Sequence, residues 1–285
     1  MAPAETLDQR PPTSLPAQPP RPAAPPTAAE FDGGPLTGSV VAITADRRRE
    51  ELAARLHGLG ARTVETPVVR LTPGDEGASA RRAGDRAAAA RFVGALVRRD
   101  VHAVTFTTAP GVTGLLEAAA VTGSLDVLLA ALRSDVLPVC LAPACARPLE
   151  AVGVEPLTAQ RPRFPALADL LAATLPQRIR HEVRLDAQRT LVLQGFSVAV
   201  GGHCVTLPPL PAAVLAELAR RPGWVVSRSE LLRRVWDIRD GSGAHRDEHA
   251  VEATVARLRT ALGPAAGLVK TVTKRGYRLD IEPAT

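Results

Sequence analysis

Apolar residues recur along this chain in two rhythms. In the first half, short and almost continuously apolar runs alternate with stretches of helical period. Residues 39–44 (SVVAIT) predict a strand covered on both faces, as in a parallel sheet. Residues 46–59 predict an amphipathic helix with Leu52, Leu56 and Leu59 on one side, ended by Gly60. A second strand is predicted over 63–71, with Pro67 marking an edge or an irregularity. A loop over 72–85 follows, then a helix over 86–99 with Phe92, Val93, Leu96 and Val97 apolar. The alternation continues with a strand at 101–107, helices at 110–121 and 125–132, and a strand at 136–141. A helix at 144–152, a short strand at 154–158 and a helix at 165–175 complete it. Strands alternating with helices of about ten residues predict an α/β domain on a parallel sheet, a single flavodoxin-like lobe.

The second half changes rhythm. Residues 184–207 hold short β segments broken at Gln194-Gly195 and Gly201-Gly202. A helix is predicted over 209–220, with Val214, Leu215 and Leu218 inward. Ser227 suits the N-cap of another over 228–235, with Glu230 at the capping-box position. A polar, Gly-containing loop spans 236–246. Val251, Val255, Leu258 and Leu262 then form one apolar stripe, and Gly263-Pro264 stops that helix. The β-branched run Val269, Thr271, Val272, Thr273 breaks at Arg275-Gly276 and resumes as Tyr277, Leu279, Ile281, a strand–turn–strand pattern. A helix followed at once by a basic hairpin predicts a C-terminal winged helix-turn-helix domain, whose helix enters the major groove of DNA. The expected organisation is an arm at 1–35, the α/β lobe at 36–176, a junction near 176–180 and the winged helix at 182–285.

Composition adds three constraints. Residues 1–30 carry nine prolines among Ala, Thr and Gln, too little apolar surface to offset ordering entropy, so a disordered arm is expected. No apolar run reaches membrane-span length and no basic-then-apolar leader opens the sequence, so the expectation is a cytoplasmic protein without a membrane partner. The three cysteines, Cys140, Cys145 and Cys204, do not suggest a disulfide framework. Charge is uneven: residues 1–175 hold 18 Arg against 18 acids, whereas 176–285 hold 17 Lys plus Arg against 11 acids. The whole excess of +6 therefore sits in the C-terminal part, which suits nucleic-acid binding or simply a solvated basic surface; the winged-helix pattern favours a double-stranded DNA partner.

Two resemblances extend this reading. RLR at 257–259 followed by KTVTKRGYRL at 270–279 resembles the end of an OmpR/PhoB-type winged-helix domain, and PGWVVSRSELLRRVW at 222–236 resembles that family's second helix and its lead-in. The resemblance implies that the β segments of 184–207 form the small antiparallel sheet preceding the first helix. The family usually has two wing glycines before the Tyr; here Lys274 replaces the first and Gly276 keeps the second. VAITADRRREEL, VTFTTAPGVTGLLEAA and LPVCLAPACARPLEAVGVEPL resemble the strand–helix units of uroporphyrinogen-III synthase, which closes a linear tetrapyrrole. The combination resembles fusion regulators of actinobacteria. Three departures argue against catalysis: strands for one lobe only, an altered turn at Ala142-Pro143-Ala144-Cys145-Ala146, and no tyrosine outside Tyr277. A phosphorelay receiver is excluded, because the third strand ends Thr107-Thr108-Ala109 without an acceptor Asp.

The expected DNA-contacting residues are Arg246, His249, Thr254, Arg257, Arg259, Lys270, Thr271, Thr273, Lys274, Arg275 and Tyr277. Thr44, Arg47, Thr107, Thr108, Gly111 and Cys145 fall at strand ends and helix starts, where an α/β sheet binds ligands and free N–H groups meet anions. A tetrapyrrole or other polyanion would suit them. For any single residue the preferred reading is structural: Thr44 and Thr108 as helix caps, and Cys145 as a buried structural thiol. His245 and His249 stand at metal spacing but at the start of the recognition helix, where DNA contact or exposure is preferred. No catalytic residue, metal or cofactor is expected. The reading is a transcription regulator with a non-catalytic ligand-sensing or dimerising lobe, a homodimer remaining open. The alternative is a uroporphyrinogen-III synthase with an appended DNA-binding domain.

Overall fold

The computed structural model describes residues 31, 33–45, 47–65, 79–237 and 248–282. Its first domain is built on five parallel strands: β1 (Val40–Ile43), β2 (Arg62–Glu65), β3 (Ala103–Phe106), β4 (Leu137–Cys140) and β5 (Leu157–Thr158), in the order β2-β1-β3-β4-β5. The order reverses direction between β1 and β3, the switch point of a doubly wound sheet. Side chains alternate across it. Val41 and Ile43 pack under α1 (Arg49–Gly58) and α6 (Phe164–Ile179). Val40, Ala42, Val104 and Phe106 pack under α2 (Ser79–Val97), α3 (Ala109–Val121), α4 (Leu125–Ser134) and α5 (Pro143–Glu150). Burial on both faces explains the continuous apolar runs. The sheet is the single flavodoxin-like lobe that the alternation predicts.

The second domain begins with an antiparallel sheet of β6 (Arg180–Arg184), β7 (Thr190–Gln194), β8 (Ser197–Val200) and β9 (His203–Thr206), each paired with the next. Gly201 and Gly202, both at positive φ, supply the two-residue turn between β8 and β9. Then come α7 (Pro209–Ala219), α8 (Arg228–Leu231) with a π-helical continuation Leu232–Asp237, α9 (Glu248–Leu262), a 3-10 segment Gly263–Leu268, and the hairpin β10 (Val269–Val272) with β11 (Gly276–Leu279). This is the winged helix.

Three boundaries differ from expectation. Helix α2 starts at Ser79, inside the expected loop, because the Ala- and Arg-rich start of the helix carries no apolar stripe to reveal it. The transition between domains falls within the expected 176–180 but without a linker loop: α6 continues to Ile179 with Pro176 inside it, and β6 starts at Arg180. The last part of the expected arm is packed. Phe31 is buried against Val192 and Ala199 on the outer face of the antiparallel sheet, and the Gln194 amide donates to the carbonyls of Pro35 and Thr37. Residues 1–30 lie outside the described residues, as do most of the loop of 236–246, the end of the expected second strand and residues 72–78 of the expected loop. Trp236 itself is buried beside Val235 in the π-helical segment.

The domains meet closely. Phe196 N–H donates to the Gly38 carbonyl and Gly195 N–H to that of Ile179. The His102 ring lies 4.2 Å from that of Phe196, centroid to centroid.

Candidate nucleic-acid interface

The apolar stripe of α9 fixes which side of the helix remains available. Val251, Val255, Leu258 and Leu262 are all buried against the domain core. His249, Glu252, Ala253, Ala256, Arg257 and Thr260 are exposed on the opposite side, so Arg257 is the long donor there. The helix is oriented at its start by Arg228, whose Nε lies 3.1 Å from Glu252 Oε1 and 3.7 Å from Glu248 Oε2. Ser227 caps α8 as expected, accepting from Glu230 N–H at 3.1 Å. The Glu230 carboxylate pairs with Arg234 at 2.6 Å rather than completing a capping box. Arg234 also reaches Glu217 on α7 at 2.5 Å, and that hydrogen bond holds its pKa above the usual arginine value.

Three expected DNA contacts belong to the scaffold. Thr254 is buried, and its hydroxyl donates to the Ala250 carbonyl one turn back at 2.8 Å. Arg259 donates through Nε and Nη2 to the Val269 carbonyl, at 3.1 and 2.7 Å, and through Nη2 to Thr271 Oγ1 at 2.8 Å. It ties α9 to the first wing strand. Tyr277 is buried, bridged through its backbone to Val226, with the Arg228 and Arg259 guanidiniums 5.3 and 5.9 Å from its ring. Their type and position suggest DNA contact; in the fold each is engaged in internal contacts, Thr254 within its own helix and the other two across elements. Arg228 is the residue that the same reasoning missed, although its position ahead of a helix that opens on acids hinted at pairing.

The remaining wing residues are exposed: Lys270, Thr271, Thr273, Lys274 and Arg275. Lys270 Nζ lies 3.9 Å from Asp280. Lys274 has φ 61°, and Arg275 N–H closes the turn onto the Val272 carbonyl. Positive φ at the third residue of a turn favours glycine, so a lysine here accepts strain while placing a cation at the hairpin tip. Gly276 is obligatory: at φ 137°, a Cβ would collide with the Val226 carbonyl oxygen. Arg246 and His245 lie outside the described residues.

In the first domain the sheet's switch point does gather several predicted residues. A Cβ on Gly111 would stand 3.3 Å from Thr108 Oγ1 and 3.6 Å from Thr44 Oγ1. Both hydroxyls are engaged internally. Thr108 caps α3 by accepting from Gly111 N–H, whereas Thr44 is buried and donates to the Thr105 carbonyl at 2.8 Å, capping nothing. Thr107 is half-buried and Arg47 exposed. Cys145 is buried near Cys140, whose thiol is pushed up to about 12, first by burial and then by Cys145 and Glu150. Such a thiol is no nucleophile at neutral pH.

Comparison with known proteins finds a likeness for each domain. Residues 202–279 match the family described as transcriptional regulatory protein, C terminal, and residues 28–169 match uroporphyrinogen-III synthase HemD. The chain is thus similar to one family over 28–169 and to the other over 202–279. The regulatory part is 40% identical over 88 residues to the transcriptional regulatory protein AfsQ1 of Streptomyces coelicolor, covering 30% of this chain and 37% of that protein. It is 38% identical over 86 residues to CseB of Streptomyces avermitilis, covering 30% and 34%. The chain thus spans about a third of the length of the curated relatives it matches. Among solved structures, uroporphyrinogen III synthase of Thermus thermophilus aligns at 16% identity and TM-score 0.41, over 49% of this chain and 98% of that one. The DNA-binding domain of E. coli CadC aligns at 26% and 0.29, over 36% and 94%.

The domain similar to uroporphyrinogen-III synthase is a single five-stranded sheet, and its C-terminal neighbour is a winged helix similar to transcriptional regulatory proteins. Among the described residues, no helix is long and apolar enough to cross a membrane.

Proposed function

We propose that this protein is a DNA-binding transcription regulator in which α9 reads base edges and the β10–β11 hairpin holds phosphates. The carrying observation is the separation of roles on the winged helix. Arg259 and Tyr277 are consumed in fastening helix to hairpin, while Arg257 stands on the exposed side of α9 and Lys270, Lys274 and Arg275 are exposed on the wing. Arginine matches guanine edges bidentately, and wing cations position the protein without reading sequence. The test uses the full chain and duplex DNA over a salt series. Exchanging Lys270, Lys274 and Arg275 for Gln should lower the slope of log affinity against log salt by about 0.9 per lost phosphate contact. An unchanged slope would remove the wing from the interface.

The first domain serves this regulator as a non-catalytic module. That reading is supported by the internal engagement of Thr44 and Thr108, and by the protonated thiol of Cys140. Given hydroxymethylbilane, the purified protein should not raise the yield of the type III ring above the spontaneous type I product. A substantial type III yield would establish the enzymatic alternative.

A further inference from the structure

At the end of the sheet opposite the switch point, the two domains enclose a cleft of about 580 Å³. The first domain contributes Arg99, Val101 and His102, which precede β3, and Ser134 and Asp135, which precede β4. The second contributes Phe196, three alanines of α7 (Ala212, Ala213 and Ala216) and, beyond them, Glu217, Arg220 and Arg234. The volume is that of an ordinary small-molecule site.

The charges of its walls do not cancel. Four guanidiniums line the cleft, those of Arg99, Arg178, Arg220 and Arg234, against the two carboxylates of Asp135 and Glu217. Both carboxylates are already engaged. Glu217 holds Arg220 at 3.1 Å and Arg234 at 2.5 Å, and Asp135 holds Arg99 at 3.1 Å. Arg178 donates to the Ser134 carbonyl. The Arg99 side chain is only 4% exposed, and its Nη2 is buried without a hydrogen-bond partner among the described residues. A buried guanidinium nitrogen without a partner is costly, and it belongs to a residue in the wall of a cleft whose cations outnumber its carboxylates. The backbone at Arg99 points the same way. It occupies the left-handed residue after α2, φ 55°, where its N–H bonds to Leu96 and that of Asp100 to Ala95, a cap that glycine fills most easily. Between the cations the lining includes the apolar side chains of Ile179, Phe196 and the α7 alanines.

We infer that this interdomain cleft is a binding site for an organic anion with an apolar body and one or two carboxylates. Planar carboxylates match the guanidinium fork, and the apolar body fits between Phe196 and α7. Because one wall is the α/β lobe and the other is the winged helix, the ligand fastens both.

The probe is phthalate, titrated calorimetrically into the full chain, with inorganic phosphate supplying charge without an apolar body and benzamide supplying the body without charge. Saturable phthalate binding is expected, with phosphate markedly weaker and benzamide silent. Arg178→Gln removes a charge and Ala213→Leu fills the cleft. Each should weaken phthalate about tenfold or more, since a hydrogen bond to a charged group is lost or the site is closed. In the unmodified protein, phthalate should slow hydrogen exchange of the amides of Gly195 and α7, a readout that needs no variant. The inference is overturned by absence of heat up to about 10 mM phthalate, beyond the millimolar range of weak contacts. Equal binding of phosphate, full binding by Ala213→Leu, or protection confined to other segments would overturn it as well.

Discussion

Gly38 and Gly195 touch backbone to backbone across the two domains. A Cβ on Gly195 would collide with the Gly38 carbonyl oxygen, and one on Gly38 with that of Gln194. Both residues are at positive φ, 79° and 56°, so a side chain would be strained even with space available. Gly195→Ala is therefore expected to cost about 3 kcal/mol of unfolding free energy in urea melts, from strain plus displaced backbone. A loss below the scatter of surface substitutions would show that the domains part without penalty.

Arg257 and Lys274 should separate recognition from attraction. Arg257→Ala is expected to remove about 1–3 kcal/mol of discrimination between a selected site and a scrambled duplex. Lys274→Asn keeps a residue tolerant of left-handed backbone while deleting the charge, so it should weaken both duplexes alike and lower the salt slope by about one unit. The opposite pattern would exchange the roles of helix and wing.

Thr254 and Arg259 provide the complementary check. Thr254→Val preserves the buried shape and removes only a hydroxyl bonded within its own helix, so DNA affinity should stay within error. Arg259→Met strands the Val269 carbonyl and frees the wing strand; a loss of about 1–3 kcal/mol of stability is expected. Its effect on DNA should be equal for specific and scrambled sequences. Selective loss of the specific site would make Arg259 a reader after all.

How far the sequence carried this structure depended on the range of the interactions involved. The α9 stripe and the apolar strands were legible because burial imposes its own period on neighbouring residues. Helix α2 was cut short because its Ala- and Arg-rich first turns lack such a period. The run of α6 through Pro176 was hidden because proline reads as a stop, although a helix packed along one face can lose one backbone donor there. Thr254, Arg259 and Tyr277 read as DNA contacts by residue type; the bond of Thr254 to its own helix, and the approach of β10 to Arg259 and of Val226 to Tyr277, reveal their structural use. The interdomain cleft left no local trace, since Arg99, Arg178, Arg220 and Arg234 come from four separate places in the chain.

Arg99 invites a comparison of two small replacements. Arg99→Ala loses the guanidinium and keeps the left-handed strain, whereas Arg99→Gly loses the guanidinium and relieves the strain. The glycine variant should be the more stable by about 1 kcal/mol in chemical denaturation. Equal stabilities would mean that the backbone around the cap relaxes freely.

His181 sets an expected pH dependence. Burial foremost, then the Arg220 charge, holds its pKa below 6.5, with Glu217 opposing. Well above about pH 6.5 neither folded nor unfolded histidine carries a proton, so it contributes no slope there. As pH falls through that value the unfolded chain binds a proton that the folded chain resists, so stability declines toward the folded pKa. His181→Gln should flatten this part of the stability profile; an unaltered slope would assign it to other groups.

The passage from α6 into β6 without an intervening loop has a geometric corollary. Each helical residue rotates the downstream chain by about 100° and advances it about 1.5 Å. The orientation of the winged helix about the α6 axis is thus written as a residue count between Phe164 and Arg180. Inserting a single residue there would turn the DNA-facing side away from its present azimuth and break the Gly38–Gly195 seam, whereas lengthening by whole turns would preserve azimuth and open distance. The helix acts as a protractor between the two domains, and its length is part of the recognition geometry.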